Sequence, residues 1–229
     1  MRNGKALNEV KRVNAELVCL LFFCIALNQQ LLAQNTEVLY CQGHLFVSRP
    51  IPEEVRARMD GKSKPEHSVV DYEDLRYLTL PYYDFDGCLQ SGELVCHKDI
   101  ASDLLHVFCG LFKAKYPICS IRLVDDFDAD DEASMEANNT SCYNHRFVPG
   151  TRKLSKHAWG KAIDVNPLQN PWIQGKQVHP TNAGEYLDRS RDFAHKIDKN
   201  DLCYRLFKER GFLWGGVWIQ KDYQHFYKL

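Results

Sequence analysis

The chain has 229 residues, enough for one domain with a sizeable core and some appendage. Its 45% hydrophobic and 26% charged residues are ordinary for a globular protein. A formal net charge of -1 gives no electrostatic basis for holding nucleic acid or an anionic membrane surface, so nucleic acid is not expected as a partner.

At the start, Arg2, Lys5, Lys11 and Arg12 precede an uncharged run from Leu17 to Leu27, "LVCLLFFCIAL", followed by "NQQLLAQN". The run is short of the roughly 20 apolar residues that span a bilayer. Residues 1–34 therefore predict an export signal cut after Ala33, with an uncleaved N-terminal anchor as the alternative. Leu31, where a small residue is preferred, and the acidic Glu9 and Glu16 depart from the usual pattern. Residues 35–67 are mixed and punctuated by proline, which predicts an N-terminal arm ahead of a main domain over 68–229.

Within that domain, "DLRYLTLPYYDF" (74–85) has the β-branched and aromatic content of a strand, stopped by the turn "FDGCLQSGE", and "ELVC" is a second, short strand. From Asp99, the apolar positions Ile100, Leu104, Val107, Phe108, Leu111 and Phe112 recur at threes and fours. That spacing predicts an amphipathic helix closed after Tyr116 by Pro117. "ICSIRLV" (118–124) reads as a strand. The acidic segment 125–139 alternates Asp126, Asp128 and Asp130 as a calcium loop does. However, Asp131 replaces the required glycine and Ala137 the bidentate glutamate, so a solvated loop is expected. "KAIDVNP" is a short strand ended by Pro167, and "LQNPWIQGKQVHPTNAG" a long loop. Residues 200–211 form a helix capped by Asn200 and stopped by Gly211. Gly215-Gly216 then makes a tight turn before a last strand, "HFYKL". The whole predicts an α+β fold, a small antiparallel sheet flanked by helices.

The nine cysteines contain no CxxC and no zinc-finger spacing. Seven remain after residue 34, so in an oxidising compartment at least one stays unpaired, and the connectivity is open. Several, such as Cys109 in "LLHVFCGLF", sit in apolar contexts that suit buried hydrophobes better than ligands.

Chemistry concentrates in two stretches. In "SKHAWGKAID", His157 and Asp164 stand either side of Gly160, which lets the chain turn so that both side chains converge. Strand alternation puts Ile163 and Val165 toward the core and Asp164 toward a cleft. In "DYQHF", Asp222 lies three residues before His225. A catalytic zinc takes three protein ligands and keeps a fourth position open, which His157, Asp164 and His225 satisfy. Asp222 then stands where a general base would be needed. Taken one at a time, each residue also has an ordinary reading as a surface or turn residue.

Together, SxHxxGxAxD and the later "WGGVWIQKDYQHF" resemble the M15 family of zinc peptidases, which contains D-alanyl-D-alanine carboxypeptidases, L-alanyl-D-glutamate endopeptidases and phage endolysins. The resemblance covers roughly residues 70 to 229. It implies a single zinc-peptidase domain with Zn2+ on His157, Asp164 and His225, and Asp222 as the catalytic carboxylate, as in the endopeptidase-like branch. It also implies an upstream arginine that grips substrate and steadies the oxyanion; Arg146 in "NNTSCYNHRF" is the best match and Arg152 the second. Ser155 orients its loop or touches substrate, and Trp159, Trp214 and Trp218 are candidate pocket walls, Trp218 foremost for substrate. Val217 departs from the aspartate common in "WGGDW". The implied substrates are peptidoglycan stem peptides, cut by an exported enzyme of the periplasm or cell envelope in a bacterium; no protein partner is implied. Two other classes compete. A zinc-stabilised wall-binding or signalling module would need neither Asp222 nor an open ligand position. A cysteine hydrolase would need a nucleophile context that no cysteine here has.

Overall fold

The computed structural model describes residues 35–229, so the expected signal or anchor and its cut after Ala33 lie outside the described residues. Glu37–Leu229 form one compact unit. Its first layer is an antiparallel meander of four strands in chain order, β1 (Glu37–Cys41), β2 (His44–Arg49), β3 (Leu75–Tyr83) and β4 (Leu89–His97). Residues 35–67 are thus no arm apart from the domain. They supply β1 and β2 to the sheet, and α1 (Glu53–Met59), whose Val55 and Met59 are buried. Two of the three prolines that suggested an arm, Pro50 and Pro52, fall just before α1, where Pro52 is the cap residue and loses no helical hydrogen bond; Pro65 accepts from Ser68 N in a turn after it.

Across that sheet lies α2 (Lys98–Lys113). The imidazole of His97 caps it by accepting from Asp99 N, and Asp99 and Lys113 sit at the ends that suit their charges. Ile100, Leu104, Phe108, Leu111 and Phe112 are buried in one core with Phe46, Leu78, Leu80 and Leu94 of the sheet. The helix stops three residues earlier than the sequence suggests, because Lys115 takes a left-handed conformation (φ 51°) before Pro117. The same core continues into a second antiparallel sheet of β10 (Leu213–Trp214), β11 (His225–Tyr227) and β7 (Ala162–Asp164), in that order, through Ile163, Val165, Phe212 and Phe226. Against it packs α4 (Leu202–Glu209), whose cap is Asp201 rather than the expected Asn200: the Asp201 carboxylate accepts from Cys203 N at 2.8 Å.

Three further expectations are corrected. Only Ser120–Ile121 of the stretch 118–124 is strand (β5), paired in parallel with β6 (Asn139–Thr140). The acidic segment 125–139 is no solvated loop but a 3-10 turn (Val124–Phe127) followed by α3 (Asp131–Glu136). There Asp125 is buried, bonded to the Ser63 hydroxyl and amide. The long loop after Pro167 contains the hairpin of β8 (Trp172–Gln174) and β9 (Gln177–His179). Cys41 and Cys109 form a disulfide that ties β1 to α2, while Cys88, Cys96, Cys119, Cys142 and Cys203 are free. No described helix is long and apolar enough to cross a membrane. With its helices and small antiparallel sheets the chain is an α+β protein, as its pattern predicts.

Candidate metal centre

His157 enters the site from a 3-10 turn (Lys156–Trp159). Ser155 starts the turn, its hydroxyl accepting from His157 N at 3.3 Å, and Gly160 ends it in a left-handed conformation (φ 63°). Gly160 is required twice over. A Cβ there would stand 2.7 Å from His97 N, and the Gly160 carbonyl accepts from that same amide at 2.8 Å. The turn is thereby docked on the end of β4, and the chain passes directly into β7.

Asp164 is the last residue of β7 and faces His225 directly across the β7–β11 ladder. A cross-strand pair of this kind sets two Cβ atoms roughly 5 Å apart. On the other side of β7, Ser141 exchanges both backbone hydrogen bonds with Asp164, and the next carbonyl, that of Cys142, receives His157 Nδ1 at 2.5 Å. One backbone segment, 141–142, therefore positions two of the three side chains.

The three meet in a triangle. His157 Nε2 lies 3.1 Å from Asp164 Oδ2 and 3.2 Å from His225 Nδ1, and His225 Nδ1 lies 2.9 Å from Asp164 Oδ1. All three residues are buried, at 2%, 4% and 6% exposure. With Nδ1 against a carbonyl, His157 carries its proton there and turns the Nε2 lone pair inward. Burial alone would raise the Asp164 carboxyl, yet His157 and His225 outweigh it and hold it far below the ordinary carboxylate range. Two ring nitrogens and a carboxylate converging in a buried space favour a cation between them. The donors lie close to the edge length of about 3.3 Å that tetrahedral bonds of about 2.0–2.1 Å require. The residues fit a divalent ion bound by nitrogen and oxygen.

Asp222 lines the same cavity. Its amide donates to Gly215 O at 3.2 Å, and it bridges to Trp172 of β8. The turn Gly215–Val217 presses closely on it. A Cβ at Gly215 would stand 2.8 Å from the Asp222 carbonyl oxygen, 2.9 Å from the Asp222 Cβ and 3.3 Å from the His225 Cβ. Asp222 Oδ1 is buried with no hydrogen-bond partner among the described residues. Burial pushes its carboxyl up to about 7. His225 and Arg146 oppose that rise, while the Asp164 and Asp131 charges add to it.

The cavity that these groups line has a volume of about 1250 Å3. Arg146 is on its wall, with Nη2 2.7 Å from Asp131 Oδ2. Arg152 is exposed and off the wall. Ser155 both caps the His157 turn and lines the cavity. Of the three tryptophans considered from sequence, Trp218 lines it, its ring centroid 5.3 Å from that of His225. Trp214 is core, its indole N–H donating to Tyr223 O, and Trp159 is 42% exposed away from the cavity. Val217 sits at the rim, 54% exposed. Sequence reasoning missed Trp172, His179, Asp131 and Glu132 on the wall. A signal existed for the first two: "WIQGKQVH" places a Gly-containing two-residue turn between short alternating runs, a hairpin signature.

A cavity walled by an acidic side chain, an arginine and a buried His-Asp-His cluster defines a hydrolase-like site. Residues 149–228 match the family model of M15 peptidases described as D-alanyl-D-alanine carboxypeptidase. His157, Asp164, Asp222 and His225 all fall inside the matched residues, whereas Arg146 and α3 precede them. Neither the curated proteins nor the solved structures contain a match to the chain.

Proposed function

We propose that the chain is an exported zinc peptidase that hydrolyses peptide bonds in peptidoglycan stem peptides of the D-alanyl-D-alanine type. The observation that carries this reading is the placement of a buried, unpartnered carboxylate, Asp222, in the same cavity as a converging His157–Asp164–His225 triad. A structural zinc site closes all four positions with protein ligands, whereas this triad supplies three and Asp222 stands free to serve a water at the fourth.

A zinc ion on the triad would supply Lewis acidity to the scissile carbonyl and to the attacking water. The protein's own groups do the rest. Asp222, buried in the same cavity as the triad, takes the proton from water and returns it to the leaving amine. Arg146 donates N–H groups to the carbonyl oxygen as charge builds there. Trp218 and Trp172 close the apolar sides of the cavity and exclude bulk water. Export is supported by the basic start and apolar run of residues 1–34, and by the Cys41–Cys109 disulfide, a bond that persists in oxidising compartments.

Mass spectrometry of muropeptides incubated with the zinc-loaded protein tests the reading and identifies the bond cut. Asp222→Ala is expected to retain full zinc content and lose about 10²–10⁴-fold in turnover. Undiminished hydrolysis by that variant removes Asp222 from the chemistry. Tight binding of muropeptides by the wild type without any cleavage would make the chain a wall-binding module instead.

A further inference from the structure

The acidic helix α3 touches three parts of the cavity wall, and each contact is made by a different side chain or carbonyl. Asp130 caps the helix by accepting from Ala133 N. The next residue, Asp131, holds Arg146 Nη2 at 2.7 Å. Glu132 receives His179 Nδ1 at 2.8 Å on one carboxylate oxygen and Thr181 N at 2.6 Å on the other. One turn on, Glu136 accepts the Thr181 hydroxyl at 2.5 Å, and its carbonyl accepts from Asn182 Nδ2. The helix thus fixes both the irregular segment that carries Arg146 and the end of β9.

These contacts also fix polarity. A carboxylate can only accept, so Glu132 holds a proton on His179 Nδ1, and in the neutral ring Nε2 is then the acceptor. His179 lines the cavity, its ring packed on Trp172 with centroids 5.2 Å apart. His179 Nε2 is buried with no partner among the described residues. The same is true of Oε1 of the neighbouring Gln224, a cavity-lining residue 1% exposed whose Nε2 donates to the His179 carbonyl. Two acceptors on the cavity wall with no donor from the protein are open to the N–H groups of a ligand. Arg146, held by Asp131, is the complementary donor. A peptide backbone offers one carbonyl and one N–H per residue, the pair of groups that this wall lacks.

We propose that Asp131 and Glu132 are positioning residues that hold a donor, Arg146, and an acceptor, His179, in the orientations with which the cavity reads the backbone of its peptide substrate. This rests on the peptidase reading above and adds to it the means of substrate recognition.

The test uses the full zinc-loaded chain and a stem peptide that the wild type cleaves. Glu132→Ala is expected to raise KM about tenfold with kcat within twofold and zinc content unchanged. Glu132→Gln, which keeps an oxygen for the imidazole, restores KM to within threefold. Nitrogen-15 spectra of histidine-labelled protein give a readout independent of turnover: His179 is the Nδ1–H tautomer in the wild type and shifts toward Nε2–H in Glu132→Ala. Should Glu132→Ala fold poorly, His179→Phe keeps the ring against Trp172, removes the acceptor and is expected to raise KM equally. Wild-type KM in both Glu132→Ala and His179→Phe, or an unchanged tautomer in Glu132→Ala, overturns this inference alone. Failure of the wild type to cleave any stem peptide overturns the peptidase reading and this one with it.

Discussion

Gly215→Ala isolates the contact that sets Asp222 and His225 in place. The added methyl would lie 2.8 Å from the Asp222 carbonyl oxygen and 2.9 Å from its Cβ. Carbon atoms pack at about 3.5–4.0 Å, so the turn or the Asp222 segment must retreat by roughly 0.5 Å or more. Gly215 does not need a left-handed conformation, so the effect is one of space and not of backbone strain. Overpacking of a buried contact costs about 1–3 kcal/mol. At about 2–4 °C per kcal/mol for a chain of this size, Tm falls by a few degrees or more. The functional loss is larger, since catalytic groups must be held to within about 0.5 Å and a misplacement of about 1 Å can cost ~10²-fold. Because the third neighbour is the His225 Cβ at 3.3 Å, zinc affinity falls as well. Melting curves, competition with a chromophoric chelator and muropeptide hydrolysis measure the three effects. Gly184→Ala, where a Cβ meets nothing within 4 Å, is the control that leaves all three unchanged. Wild-type Tm, zinc affinity and turnover in Gly215→Ala would refute the claim that this turn sets the site.

Two further outcomes follow from burial and covalent linkage. In metal-free protein the Asp222 pKa, about 7 against an ordinary 3.8, means that the folded chain holds a proton that the unfolded chain releases. That contribution is present at low pH and is lost as pH rises toward 7. Asp222→Asn removes it, so the Tm of the metal-free variant relative to wild type is expected to be higher at pH 8 than at pH 5, and equal differences at both would refute the burial argument. The Cys41–Cys109 disulfide closes a sequence separation of 68 residues. A loop of that length corresponds to about 4 kcal/mol of unfolded-state constraint, so Cys41→Ala lowers urea stability by up to that amount; a change within error would show that the β1–α2 junction holds without it.

Some of the molecule was legible because its signals are local. The apolar spacing of α2 announces a helix, and its end differs only because Lys115 turns left-handed before Pro117. The alternation in "AIDVN" places Ile163 and Val165 in the core and Asp164 out of it, as the structure has them. Gly160 was legible as a turn between His157 and Asp164. Its second role, the close approach to His97 from 63 residues earlier, involves a partner that no spacing reveals. The N-terminal strands were missed for a similar reason. β1 is an edge strand that alternates weakly, and β2 is joined to β3 across 25 intervening residues containing α1.

The acidic segment shows why the rest of the site could not be read along the chain. In sequence, Asp130, Asp131, Glu132 and Glu136 look like solvent-facing charge, and a calcium loop is the only local alternative to weigh. What gives them a role is a set of partners at separations of 15, 47 and 45 residues: Arg146 for Asp131, His179 for Glu132 and Thr181 for Glu136. A buried metal ligand must match an ion and so carries a residue-type signature. A carboxylate that orients another side chain needs only to meet a donor, and many residue types supply one. Ligand triads are therefore visible in a single sequence, whereas the groups that aim the surrounding wall become visible only when the fold brings the two ends of each hydrogen bond together.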